Sequence, residues 1–109
     1  MRVKVSGKQV QIGETLPAGV RVRLAESVAK HFDGGADANV VFSHSGPFYR
    51  VDCTLHLDSH TIIKSEGEGA DAHRAFDAAF RHVEAQLRRY KRKLKNHHAK
   101  AQARARAAA

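Results

Sequence analysis

Basic residues dominate the segment 87–98, which reads LRRYKRKLKNHH. It holds six Lys or Arg and two His, and no acidic residue lies between Leu87 and Lys95. Like charges this close repel one another, so concentrating them favours an anionic partner. Arginine makes bidentate hydrogen bonds to phosphate. A row of cations also gains affinity because it releases counterions that are condensed on a nucleic acid. The segment therefore predicts a phosphate-binding surface.

An amphipathic helix over about residues 71–97 would position these cations. Asp71 is a good N-cap, and apolar residues then recur every three or four positions, as on one side of a helix. They are Phe76, Ala79, Phe80, Val83, Leu87, Tyr90 and Leu94. A second side of the same helix is basic. We call it the basic stripe, and it comprises Arg74, Arg81, Arg88, Arg92 and Lys95.

The stripe has two alternative explanations. The acid-to-base pairs Asp77–Arg81 and Glu84–Arg88 would stabilise the helix, and cations near a helix C-terminus favour its dipole. Both account for only part of the basic excess. Phosphate binding remains the preferred interpretation.

The preceding segments predict an α+β domain. Residues 2–6 read as a strand with a bent extension over 8–12, and Gly13 or Thr15 would cap a first helix that ends at the DGG of 33–35. Residues 39–57 and 61–69 read as three strands joined by turns at 45–47 and 58–60. The predicted order is β-α-β-β-β-α, with two helices packed on one face of a four-stranded sheet. Residues 1–98 would form this domain, and 99–109 a basic Ala-rich tail or the start of a linker.

Composition agrees with an acidic partner. The 109 residues carry a net charge of +8 and have a pI of about 10.2. No apolar run has the length of a signal peptide or of a membrane span, and the single Cys53 cannot form an internal disulfide. We expect a cytoplasmic protein.

Catalytic and metal-binding patterns are not evident among the eight His and one Cys. His97 and His98 are adjacent and would point in different directions on a helix, and no Cys/His spacing resembles a zinc site. Cys53 falls on the predicted core face and reads as a buried, inert thiol. We expect no enzyme activity, no metal and no cofactor.

Several segments together resemble the ribosome hibernation-promoting factors of the ribosome-associated inhibitor group. They are VSGKQVQIGETL, KHFD, VDCTLHL, EGADAHRAFDAAF and QLRRYKRKLKNHH, over about residues 1–98. The resemblance implies a fold similar to double-stranded-RNA-binding domains. It also implies a factor for stress and stationary phase that binds the small ribosomal subunit and its 16S rRNA in the 70S ribosome. Such a factor occupies the tRNA and mRNA channel, blocks translation and protects idle ribosomes.

The resemblance and the helix projection together give the expected RNA-binding residues. They are Arg81, Arg88, Arg89, Lys91, Arg92, Lys93 and Lys95 on the second helix, with Arg21, Arg23 and Lys30 on the first. Arg81 owes more to the projection than to the family motif. His82 and Ala85 stand where family members often carry bases. Long members add a dimerising domain that pairs ribosomes, and such a domain would have to follow Ala109.

Two other functions remain open. The chain could be a generic double-stranded-RNA-binding module, or a structural or oligomerisation domain in which Tyr90 and Leu94 form a helix–helix interface. Phe48 or Tyr49 could also stack on an RNA base, although a core role for Tyr49 is preferred.

Overall fold

The computed structural model describes the backbone of residues 1–108 and the side chains of residues 1–93. Six elements follow the predicted β-α-β-β-β-α order. They are β1 (Arg2–Gly7), α1 (Thr15–His31), β2 (Ala36–Ser45), β3 (Phe48–Leu57), β4 (Ile62–Gly69) and α2 (Ala72–Ala108). The predicted fold class is confirmed.

Helix α2 is longer than predicted, since it continues past residue 97 to Ala108. The segment 99–108 consists of Ala, Arg, Lys and Gln, which have the highest intrinsic helix propensities. Helix formation there needs no apolar stripe. The predicted helix ended near residue 97 because the apolar stripe ends there. The division between a domain over 1–98 and a tail over 99–109 stays a prediction.

The sheet has the strand order β1-β2-β3-β4. β1 runs parallel to β2, and the two other pairs are antiparallel. A parallel pair needs a long crossover, which α1 supplies, whereas short turns suffice for the β2–β3 and β3–β4 hairpins. The register pairs Val40 with both Val5 and Cys53, so these three residues share one face of the sheet.

Both helices pack on that face, as predicted. Val40, Phe42, Val51 and Leu55 alternate with exposed or partly exposed residues along β2 and β3, and each has no exposed surface. The helices contribute apolar residues that recur every four positions along α1 and the apolar side of α2. Their buried members are Leu16, Val20, Leu24 and Val28 of α1 and Ala75, Phe76, Ala79, Phe80, Val83 and Leu87 of α2.

The helix starts agree with the prediction in one case and differ in the other. Asp71 caps α2, because its Oδ1 accepts a hydrogen bond from the Arg74 amide at 2.8 Å. The prediction that Gly13 or Thr15 caps α1 was wrong, since Glu14 occupies the cap position without a side-chain hydrogen bond. Pro17 lacks an amide hydrogen and lies in the first turn, where the amides have no partner within the helix, so α1 needs fewer caps.

Among the described residues, no helix combines the length and apolarity needed to cross a bilayer.

Candidate nucleic-acid interface

Helix α2 carries a cluster of solvent-facing cations. Within the described side chains, 1–93, Arg81, Arg88, Arg89, Arg92 and Lys93 are exposed and form no ion pair. Because these guanidinium and ammonium groups lack an acidic partner, their hydrogen-bond donors remain available to an anion.

The two acid-to-base pairs expected along α2 are not formed. Asp77 pairs with Arg23 of α1 instead of Arg81, and Glu84 accepts a hydrogen bond from Ser27 Oγ of α1 at 3.4 Å. The acids face α1, because α1 packs along this side of α2. Arg81 and Arg88 are therefore left free among the residues whose side chains are described, which leaves the phosphate-binding interpretation stronger.

Two members of the basic stripe need separate treatment. Arg74 pairs with Asp71, its Nε lying 3.5 Å from Oδ2, so it belongs to the helix cap. Lys95, which was also an expected RNA-binding residue, lies outside the described side chains.

Helix α1 contributes two of its three expected cations to the side of α2. Lys30 ends beside Lys91, whose Nζ donates to the Lys30 carbonyl oxygen at 3.3 Å. Arg23 lies between the helices, with its guanidinium carbon 4.5 Å from the ring centroid of Phe80. Arg21 instead reaches towards β1, where its Nε donates to the Val3 carbonyl at 3.4 Å. The structure thus does not bring Arg21 to the cations of α2.

The contacts between α1 and α2 advance in step. Arg23 meets Asp77, Ser27 meets Glu84, and Lys30 meets Lys91, so the helices run in the same direction. A groove of about 250 Å³ between them is lined by residues of both charges, Glu26 and Glu84 among them. The cationic surface is therefore the outer side of α2 and its junction with the end of α1.

His31 reports the electrostatic field at that junction. Burial lowers the pKa of this imidazole below its ordinary value of 6.5, and the neighbouring Lys30 and Lys91 lower it further, against an opposing effect of Glu84. The imidazole is therefore neutral at pH 7. The role of His31 could not be predicted from local sequence, because the cation facing it from α2, Lys91, is sixty residues away in the chain.

Two polar side chains of α2 have a structural role. His82 Nδ1 lies 3.0 Å from the Glu66 carbonyl, and Gln86 Nε2 donates to the Lys64 carbonyl at 2.8 Å. Both carbonyls belong to β4, which is the last strand in the order β1-β2-β3-β4 of the sheet. His82 thus contacts the backbone of an edge strand.

The remaining candidates are the single cysteine, the aromatic residues of the β2–β3 hairpin and the possible metal ligands. Cys53 is 1% exposed, and burial raises the pKa of its thiol to about 11, which keeps it protonated at neutral pH. Tyr49 packs against His44, with ring centroids 4.7 Å apart, while Phe48 is 48% exposed. In the part of the chain searched, no three His, Cys, Asp or Glu are grouped to hold a metal ion.

Fold and surface together define a small β-α-β-β-β-α domain with a solvent-facing basic side on its second helix. The family described as Sigma 54 modulation protein / S30EA ribosomal protein matches residues 3–95, and the chain belongs to it.

Relatives of two lengths are similar to the chain. A ribosome hibernation promotion factor of Rhizobium meliloti (strain 1021) is 42% identical over 98 residues, which are 90% of this chain and 52% of that protein. A ribosome hibernation promoting factor of Escherichia coli (strain K12) is 31% identical over 97 residues, 89% of this chain and 100% of that protein. The chain spans about half the length of the Rhizobium protein and also of a ribosome hibernation promotion factor of Bradyrhizobium diazoefficiens, of which it covers 49%.

Two solved structures share the fold. The N-terminal domain of Thermus thermophilus Protein Y superimposes with a TM-score of 0.74 at 28% identity, over 83% of this chain and 99% of that domain. A ribosomal subunit interface protein from Coxiella burnetii superimposes with a TM-score of 0.66, over 84% of this chain and 98% of that protein. At 20% identity the second likeness concerns the fold alone.

Proposed function

We propose that the chain is a ribosome hibernation factor that binds the small ribosomal subunit through the outer side of α2. In this proposal it occupies the tRNA and mRNA channel, blocks translation and protects idle ribosomes. The observation that carries the proposal is the set of exposed basic side chains on α2 that have no acidic partner among the described residues. The names of the relatives support the ribosome as partner.

Binding on this surface needs electrostatics and shape but no chemistry. The side chains of residues 88, 89, 92 and 93 offer cations that could contact successive phosphates, and each contact would release condensed counterions. Their aliphatic stems and the helix backbone fill space that tRNA or mRNA would otherwise occupy. Inhibition is then steric, with affinity that falls steeply as salt rises.

Competition on purified small subunits tests the proposed location. We expect tRNA bound with mRNA to displace the labelled chain, and the chain to inhibit tRNA binding with a matching concentration dependence. Simultaneous binding of tRNA and the chain to one subunit would contradict the channel as the site.

Naked duplex RNA separates this proposal from a generic double-stranded-RNA module. In a gel-shift competition, the small subunit should compete far better than an equal mass of duplex RNA. Equal competition would favour the generic module, since phosphate contacts alone do not distinguish the two.

A further inference from the structure

A pocket of about 700 Å³ opens where the end of α1, the β3–β4 turn and α2 meet. Its volume is typical of sites for small ligands. The rings of Phe32 and Tyr90 line it, with centroids 5.8 Å apart and planes inclined by 56°. Both side chains are only partly buried, so each ring keeps some surface free for a planar ligand.

The walls of the pocket are held by contacts within the domain. The Tyr90 hydroxyl and Ser59 Oγ lie 2.6 Å apart, and the Phe32 amide donates to the Val28 carbonyl at 2.8 Å. A Cβ atom on Gly34 would lie 2.7 Å from the Phe32 ring, so only glycine lets this loop close against it. The pocket is therefore formed before any ligand arrives.

The charges around the pocket are balanced. Lys30 and Lys91 lie together where α1 and α2 meet, as the contact of 3.3 Å between Lys91 Nζ and the Lys30 carbonyl shows. Asp33 and Asp58 belong to the loops, and Asp58 Oδ2 accepts a hydrogen bond from the Gly35 amide at 2.7 Å. A bare anion gains little from two lysines offset by two carboxylates. A ligand with an anionic end and a polar ring could place the anionic end at the lysines and donate hydrogen bonds from the ring to the carboxylates.

His31 lines the same pocket and has an unsatisfied polar atom. The residue is 9% exposed, and its Nδ1 has no hydrogen-bond partner in the described part of the chain. Buried polar atoms are normally paired, so an orphan beside a pocket is a place where water or a bound molecule can complete the hydrogen bonding once the ring turns towards the pocket.

We infer that this pocket binds one unpaired nucleotide of an RNA chain, with its base against Phe32 and Tyr90 and its phosphate at Lys30 and Lys91. Single-stranded RNA is commonly held by stacking of its bases on aromatic side chains. The source of the nucleotide rests on the proposed function. Lys91 stands between Arg88 and Arg92 in α2, so a strand that follows the basic stripe would pass the mouth of the pocket.

NMR titration of the isotopically labelled full chain with ribonucleoside 5′-monophosphates tests the inference. We expect saturable shifts of the amide signals of Gly34, Ser59 and Lys91, with smaller shifts for ribose 5-phosphate and inorganic phosphate. Equal shifts with inorganic phosphate would mean anion binding only and would overturn the inference, as would the absence of shifts with every nucleotide.

Matched phenylalanine variants test the aromatic wall. Phe32→Leu should weaken nucleotide binding by about fivefold or more, because stacking on an aromatic ring contributes at least that much per base. Phe48→Leu removes the other exposed ring that could stack on a base, and because Phe48 does not line this pocket, this substitution should weaken nucleotide binding less than Phe32→Leu does. Equal effects of the two substitutions would contradict the assignment.

A variant that leaves the aromatic rings intact covers the case in which Phe32→Leu perturbs the fold. Lys30→Gln with Lys91→Gln should weaken nucleotide binding, and unchanged affinity would overturn the phosphate position. These titrations contain no ribosome, so their failure is distinct from a failure of ribosome binding. Nucleotide binding by a chain that does not bind ribosomes would instead overturn the proposed function alone.

Discussion

Arg23 has a different role from the arginines of α2, although all were expected to bind RNA. Its guanidinium pairs with Asp77 and lies over the rings of Phe76 and Phe80. Arg88 has no comparable partner among the described residues. The same residue type thus joins two helices at one position and faces solvent at the other, and the difference comes from tertiary packing.

Substitution of these two arginines should separate stability from binding. Arg23→Ala should lower the free energy of unfolding by about 1 kcal/mol, the combined size of an exposed ion pair and a cation–π contact. Arg88→Ala should leave unfolding unchanged and weaken binding to small subunits more than Arg23→Ala does. Chemical denaturation and sedimentation measure the two effects, and the opposite ranking in both would contradict these roles.

The buried thiol of Cys53 predicts a loss of stability in alkali. Burial raises its pKa from 9.0 to about 11, so the unfolded chain ionises first as the pH rises. The stabilising contribution is complete below pH 9 and is lost between pH 9 and 11, and it amounts to at most about 3 kcal/mol. The free energy of unfolding is measured across this pH range for the native chain and for Cys53→Ala. Because all other groups titrate in both proteins, the difference between the two curves gives the contribution of the thiol. Parallel stability curves would contradict the prediction.

At the scale of elements, the contact between α2 and β4 is unusually close. A Cβ atom on Gly67 would lie 2.9 Å from Ala78 Cβ and nearer still to the helix backbone. The same approach lets His82 and Gln86 reach the carbonyls of β4. Glycine therefore positions the helix, and the helix in turn covers carbonyls that an edge strand would otherwise expose to another chain.

Two glycine substitutions should have opposite effects on stability. Gly67→Ala should lower the free energy of unfolding by about 1–3 kcal/mol, because the added methyl group overpacks the contact with α2. Gly19 lies within α1, and apart from its neighbours in the helix no atom of the described residues lies within 4 Å of its Cβ position, so Gly19→Ala should raise stability by about 0.5–1 kcal/mol. Thermal or chemical denaturation gives both values, and a destabilised Gly19→Ala or a neutral Gly67→Ala would argue against this account of the packing.

Local patterns predicted most of the fold. Alternation of apolar and polar residues identifies the core residues of β3, such as Val51, and the spacing of three and four identifies those of α2, such as Leu87. Both patterns could be read from the sequence because each depends only on residues that are close together in the chain. The Asp71 cap is equally local. The partner of Asp77 and the closeness of Gly67 to α2 could not be predicted, since both depend on segments distant in the chain.

For the whole molecule, charge differs between the two faces. The outer side of α2 has bases without acids from Arg88 to Lys93, whereas the open face of the sheet mixes both signs. There Arg50 donates to Asp52 at 3.1 Å and also pairs with Glu66. A polyanion should therefore prefer the helical side, and orientation on the ribosome should follow from this asymmetry.

Charge reversal on one face tests the central claim most directly. The variant with Arg88→Glu, Arg89→Glu and Arg92→Glu is compared with a control carrying Arg2→Glu, Lys4→Glu and Lys64→Glu. The control has the same change in net charge, at exposed strand residues on the opposite face. Both variants should keep the circular dichroism of the native fold.

Co-sedimentation with small ribosomal subunits across a salt series is the decisive measurement. We expect the α2 variant to lose at least about a hundredfold in affinity, since three charge-assisted contacts each contribute more than 1 kcal/mol. Its remaining binding should depend less on salt, whereas the control should stay close to the native chain. Native binding by the α2 variant, or equal losses in both variants, would contradict the outer side of α2 as the ribosome-binding surface.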